Sequence, residues 1–191
     1  RWQENWENLV NIKKNLSDAL LATFDSSSTI KSESETLNVE AYKKYLEAKY
    51  KLDILKSIDS LNEALILLKS AIELDSEFVE AYSSAASCMQ KLGDNQVALN
   101  YLEIGMNIAK STKNNPGLIH ILNIMGQVNF YMGKYKVAEK NYLEALSIGK
   151  NIYGDSTDNI FIEAKIRTNY SLTLLKLNDP EQALKQNKIA L

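Results

Sequence analysis

The stretch YSSAASCMQKLGDNQVALNYLEIG, Tyr82–Gly105, decides how this chain folds. Tyr82, Ala85, Ala86 and Met89 fall on one face of a helix, LGDN interrupts the spacing, and Ala98, Leu102 and Gly105 resume it. The same offsets recur twice. They give Leu122, Met125, Gly126, Asn129, Ala138, Tyr142 and Ala145, then Arg167, Tyr170, Ser171, Leu174, Ala183, Asn187 and Ala190. A recurring helix–turn–helix unit cannot bury its apolar face alone, so the units must stack.

Each offset has a steric reason. Small residues at Ala86, Gly126 and Ser171 face small residues at Ala98, Ala138 and Ala183, where paired helices cross most closely. Tyr82, Met89, Leu102 and Tyr142 are large and fill the space between successive units by ridges-into-grooves packing. Turn chemistry agrees. Gly93 suits a left-handed helix end and Asp94 the following N-cap, and Gly133 takes the same place in YMGKYKVA. In KLNDPEQA, Asn178 replaces Gly, Asp179 caps, and Pro180 opens the helix where no amide hydrogen is needed.

This pattern resembles the tetratricopeptide repeat, with its large residue, Leu-Gly, aromatic and Ala positions. The resemblance implies an all-α, right-handed α-solenoid of helix–turn–helix repeats. The array is expected over 39–191, divided near 39–78, 79–118, 119–163 and 164–191. The first of these units is altered: Ala64, Leu68 and Ala71 fit the second helix, with a capping box expected from Ser60 and Glu63. Loops are expected at STKNNPG and NIYGDSTDN, giving a period of roughly 40 residues against the usual 34 and extended second helices.

Residues 1–24, RWQENWENLVNIKKNLSDALLATF, carry Trp2, Trp6, Leu9, Leu16 and Leu20 as one apolar stripe of a helix. Residues 25–38 are polar, Ser-rich and without period, as in a linker or loop. The N-terminal helix is expected to cap the first repeat; the alternative is a homodimer seam or a connection from an upstream domain. Lys13 in mid-seam and the short stripe argue against a lone coiled coil. Ala41, Tyr42, Tyr45, Leu46, Ala48, Lys49 and Tyr50 also resemble the junction ahead of the repeats in some bacterial signalling proteins. There a class III adenylate/guanylate cyclase or a winged-helix module precedes the array. Starting at Arg1 and stopping at Leu191, the chain reads as a piece of a larger protein.

Composition narrows the function. A net charge of −2 gives no basic footprint for nucleic acid. A single cysteine precludes an internal disulfide framework. No uncharged apolar run approaches the roughly 20 residues of a membrane span, so a cytoplasmic protein is expected. No Gly-rich phosphate loop or His/Cys metal spacing is present, and neither metal nor cofactor is expected. Cys88 stands where the family usually has Ala and reads as a buried structural thiol. His120, after Pro116–Gly117, reads as an exposed polar residue or a ligand contact. No catalysis is expected of this chain.

What remains is a surface for a protein or peptide partner. The first helix of each repeat lines a concave face, which places His120, Asn123, Gln127, Phe130, Tyr131, Lys165 and Asn169 toward a guest. Amides suit a peptide backbone and aromatics suit an apolar anchor. Chaperone-tail receptors of the family clamp a terminal carboxylate with Lys, Asn and Arg at fixed groove positions. Here those positions hold Ser83, Ser87 and Ile124, with Lys165 alone retained, so that clamp is not expected. The function implied is a non-catalytic interaction module, or else the regulatory arm of a larger signalling enzyme.

Overall fold

The computed structural model describes residue 36 and residues 38–54, 57–154 and 157–190. Among these, the chain forms eight helices: α1 (Val39–Ile54), α2 (Ile58–Leu74), α3 (Val79–Lys91), α4 (Asn95–Ser111), α5 (Asn115–Tyr131), α6 (Tyr135–Tyr153), α7 (Thr157–Lys176) and α8 (Pro180–Ala190). The helix expected over 1–24, and most of the polar stretch after it, lie outside the described residues. Successive helices pack on one another, and α5 also touches α3 and α7. The short connections make sequence neighbours antiparallel. The odd-numbered helices therefore form one layer of a solenoid and the even-numbered helices the other.

One turn geometry is used four times. Gly93, Lys113, Gly133 and Asn178 have φ of 91°, 58°, 73° and 62°. The following residue then bonds back across the helix end: Asp94 N–H to Met89 O at 2.9 Å, Asn114 to Ala109 at 2.8 Å, Lys134 to Asn129 at 2.8 Å and Asp179 to Leu174 at 2.9 Å. This left-handed closure satisfies carbonyls that a helix end leaves open. Side-chain caps start the next helix in three cases. Asp94 accepts from Val97 N–H at 3.1 Å, Asn114 from Gly117 at 2.8 Å and Asp179 from Gln182 at 3.1 Å.

The structure corrects three readings of the sequence. The stretch 111–117 is mostly helix, because Lys113 and Asn114 repeat the work of Gly93 and Asp94 and α5 begins at Asn115. Much of 151–159 is helix too, since α6 runs to Tyr153 and α7 starts at Thr157. The capping box of α2 begins at Ser57 rather than Ser60. Ser57 Oγ accepts from Ser60 N–H at 3.1 Å, and Ser60 Oγ accepts from Ser57 N–H at 2.9 Å. Glu63 instead pairs with Lys51 of α1 at 2.5 Å.

Asn38 ties down the first helix. Its Oδ1 accepts from Glu40 and Ala41 N–H, both at 3.1 Å, while its Nδ2 donates to Leu74 O at 2.8 Å. Behind it, Ala41, Ala48, Ala64, Leu68, Ala71, Ala81, Ala85 and Cys88 pack around Phe78. Tyr45 lies 5.0 Å from Phe78 between ring centroids. Burial pushes the Cys88 thiol up to about 11, which keeps it an unreactive core residue as expected.

The second core cluster spans α3 to α8 and includes Ala86, Ala98, Leu102, Leu122, Ala138, Tyr142, Tyr170 and Ala183. Its tightest approach is at Gly126. A Cβ there would fall 2.4 Å from Tyr142 Cε1, so the small residue makes room for an aromatic ring of its own unit. Gly105 does the same for Ile121 and Tyr82, whose nearest side-chain atoms would lie 3.0 Å and 3.1 Å from a Cβ.

Candidate functional site

The inner layer formed by α3, α5 and α7 presents polar and apolar side chains in two hollows. The larger lies between α5 and α7. It is lined by Pro116, Ile119, His120, Asn123, Phe161, Ile162, Lys165 and Ile166, and holds about 320 Å³. The smaller, about 80 Å³, is bounded by Gln127, Phe130, Tyr131, Tyr142, Asn169 and Leu172. Between them Asn169 Nδ2 donates to Asn123 Oδ1 at 3.0 Å.

The seven residues expected to meet a guest therefore divide. His120, Asn123 and Lys165 line the larger hollow, and Gln127, Phe130, Tyr131 and Asn169 the smaller. Asn123 is buried and engaged by Asn169, so its amide oxygen already has a donor. Phe130 is half-buried, edge-on to Tyr131 at 5.7 Å and tilted against Tyr135 at 5.5 Å. Tyr131 is exposed. The earlier unit offers less. Ser83 Oγ donates to Glu80 O at 3.0 Å and Ser87 Oγ to Ser83 O at 3.1 Å, so both hydroxyls serve their own helix.

His120 is an exposed residue of the concave wall, as expected, with its ring set among the side chains that line the larger hollow. Loss of water around it, then the ammonium groups of Lys165 and Lys49, lower its pKa below the ordinary imidazole range. It is thus neutral at pH 7 and offers both a donor and an acceptor. Lys49 belongs to α1, so charge from the first repeat acts on a residue of the third.

Sequence reasoning overlooked Phe161. It is 83 % exposed at the rim of the larger hollow, beside Ile160 at 58 %. An available signal was its place four residues before Lys165, on the same side of one helix. The stretch read as loop just before it hid that relation.

Among the described residues, no cluster of three His, Cys, Asp or Glu side chains could hold a metal ion. No described helix is long and apolar enough to cross a membrane.

Known proteins bear on this geometry. The family model "Tetratricopeptide repeat" matches residues 77–151. No curated protein matches the sequence. Among solved structures the chain is similar to MamA, at 19% identity over 78% of this chain and 75% of that one, with a TM-score of 0.57. It is also similar to BtubC from P. vanneervenii, at 14% identity over 94% of this chain and 72% of that one, with a TM-score of 0.66. Likeness at such low identity speaks for the fold.

Proposed function

We propose that this tetratricopeptide repeat protein binds an extended or helical segment of a protein partner along the concave layer of α3, α5 and α7, without catalysis. The observation that carries this reading is the larger hollow, where an exposed aromatic, Phe161, stands over an apolar floor of Ile119 and Ile166. Interfaces concentrate their energy in such aromatic anchors. The polar rim of Lys165 and His120 would orient the guest. Cytoplasmic residence is part of the proposal, as is the docking of residues 1–24 on the array as a cap rather than as a homodimer seam.

A selection of random linear peptides displayed on phage tests the reading. Peptides should be enriched by the folded chain and lost when Phe161→Ala and Tyr131→Ala are combined. No enrichment, or binding indifferent to that double variant, would place the interaction elsewhere.

The second reading, a regulatory arm of a larger signalling enzyme, draws on the Ala41–Tyr50 signature. Ala41 and Ala48 are buried, and Tyr42 and Tyr45 pack with Phe78 at 6.5 Å and 5.0 Å. Those residues have a packing use that needs no upstream enzyme, so the binding reading stands first.

A further inference from the structure

We propose that residues 1–24 lie in the concave layer of their own chain, with Trp2 in the larger hollow and Leu9 in the smaller, so that a partner must displace them to bind. The inference rests on that layer being the binding surface and on residues 1–24 docking on their own array. It names the inner layer, not the first repeat, as the place where they dock.

The larger hollow suits a large apolar side chain. Pro116, Ile119, Ile162 and Ile166 line it, and Phe161 stands exposed at its rim. Its volume of about 320 Å³ accommodates an indole ring. A tryptophan brings more apolar surface to such a site than an aliphatic side chain does. The smaller hollow, about 80 Å³, takes only the end of a leucine. Both tryptophans of the chain, Trp2 and Trp6, belong to the apolar stripe of residues 1–24, which lies outside the described residues.

Spacing matches stripe to groove. His120 and Gln127, Asn123 and Phe130, and Lys165 and Leu172 each pair a wall of the larger hollow with a wall of the smaller. Each pair is seven residues apart on one helix, so the hollows sit about 10 Å apart along α5 and α7. Trp2, Leu9 and Leu16 are also seven apart. A helix lying at a shallow angle on α5 and α7 therefore brings Trp2 and Leu9 to both hollows at once. Lys13, which interrupts the stripe, then falls beyond the smaller hollow and returns its charge to water.

The tether permits this arrangement. Residues 25–38 span up to about 46–50 Å when extended. Along the inner layer, the gap between α5 and α7 lies two to three helix spacings from α1, about 20–25 Å. That leaves length for the segment's own run along the groove. Held on such a tether, the segment meets the hollows at an effective concentration on the order of millimolar. A contact too weak to form between separate molecules is then still made.

The test uses the full chain, in which intrinsic fluorescence reports on Trp2 and Trp6 alone. Their emission should be blue-shifted and poorly quenched by acrylamide. Phe161→Glu and Leu172→Glu, both at exposed positions of α7, should each shift the emission to the red and raise quenching, with circular dichroism unchanged. Ile66→Glu, exposed on α2 of the first repeat, should change neither. A linear peptide selected on the Trp2→Ala/Trp6→Ala chain should bind that chain about tenfold tighter than the unaltered one. Tryptophans open to water in the unaltered chain overturn the inference. Emission that answers to Ile66→Glu and not to the α7 variants also overturns it, since the segment would then sit on the first repeat. Emission that shifts on dilution does the same by making the segment a seam between copies, and equal peptide affinity in the two chains removes the competition. If the double variant selects no peptide while the fluorescence still answers to Phe161→Glu, the partner-binding reading falls and the docking of residues 1–24 stands.

Discussion

Asn169 reaches across from α7 to Asn123 of α5, donating at 3.0 Å and joining a wall of the smaller hollow to a wall of the larger. Asn123 is only 2 % exposed, so water cannot readily replace that donor. Asn169→Ala should therefore cost about 1–3 kcal/mol by stranding a buried carbonyl. Thermal melts should drop by several degrees, at roughly 2–4 °C per kcal/mol for a chain of this size. Tyr131→Ala should melt close to wild type. Pairing the two substitutions as a binding probe would thus confuse lost contact with lost stability, and Tyr131→Ala alone is the cleaner one. An unchanged melt for Asn169→Ala would mean that Asn123 finds another donor.

Gly126 and Tyr142 should behave as one unit. A Cβ at 2.4 Å from the ring cannot be accommodated without moving it, and Tyr142 is only 1 % exposed. Gly126→Ala should destabilise by about 1–3 kcal/mol and Gly126→Leu by more. In a Tyr142→Leu background the Gly126→Ala penalty should shrink. Urea midpoints of the four chains measure this coupling, and strict additivity would locate the strain away from Tyr142.

The turns separate conformational cost from packing. A Cβ at Gly93 would meet nothing within 4 Å, so Gly93→Ala suffers only from φ of 91°. It should lose about 1 kcal/mol, against a left-handed penalty of roughly 1–2 kcal/mol for a residue with a Cβ. Lys113 already bears that penalty at φ of 58°. Lys113→Gly should raise the urea midpoint, with part of the gain offset by the greater freedom of Gly when unfolded. A lower midpoint would show that the Lys113 side chain contributes more than its backbone strain removes.

His120 is the chain's single histidine, so its titration by NMR is unambiguous. Its midpoint should lie below the ordinary 6.5, toward about 4, because loss of water around the ring within the hollow and then Lys165 and Lys49 disfavour the imidazolium. The unfolded chain takes up this proton first as pH falls. The contribution to stability is therefore full above pH 6.5, is lost as pH drops toward the folded value, and changes no further below it. His120→Gln should flatten that part of the acid limb, and Lys165→Ala should raise the midpoint in part. A midpoint at or above 6.5 would mean that the concave wall is fully hydrated.

Local chemistry explains which parts of this architecture could be read in advance. Gly93–Asp94 and Asn178–Asp179–Pro180 announce their turns because each residue type favours the required backbone. Lys113 does not, since nothing in a lysine favours a left-handed conformation. What holds it there is the Asn114-to-Ala109 closure at 2.8 Å and the Asn114 cap on Gly117. Ser57 and Ser60 were equally eligible to open α2; they serve together, Ser57 as the cap and Ser60 as its third-residue partner, while Glu63 pairs with Lys51. His120 and Lys165 followed from repeat offsets. Phe161 did not, because its meeting with Pro116 and Ile119 is made between helices far apart in sequence.

Because each helix leans chiefly on those beside it in sequence, loss of structure can advance as a front from an end rather than everywhere at once. Burial is uneven along this stack. Helix α8 buries Ala183, whereas α6 buries Ala138, Asn141, Tyr142, Ala145 and Gly149. Amide protons of α8 should exchange before those of α6, which buries more of its side chains. A guest lodged between α5 and α7 would then do more than occupy a surface. By bracing α7 against α5, it would slow exchange in α7, where amide protection becomes a readout of occupancy.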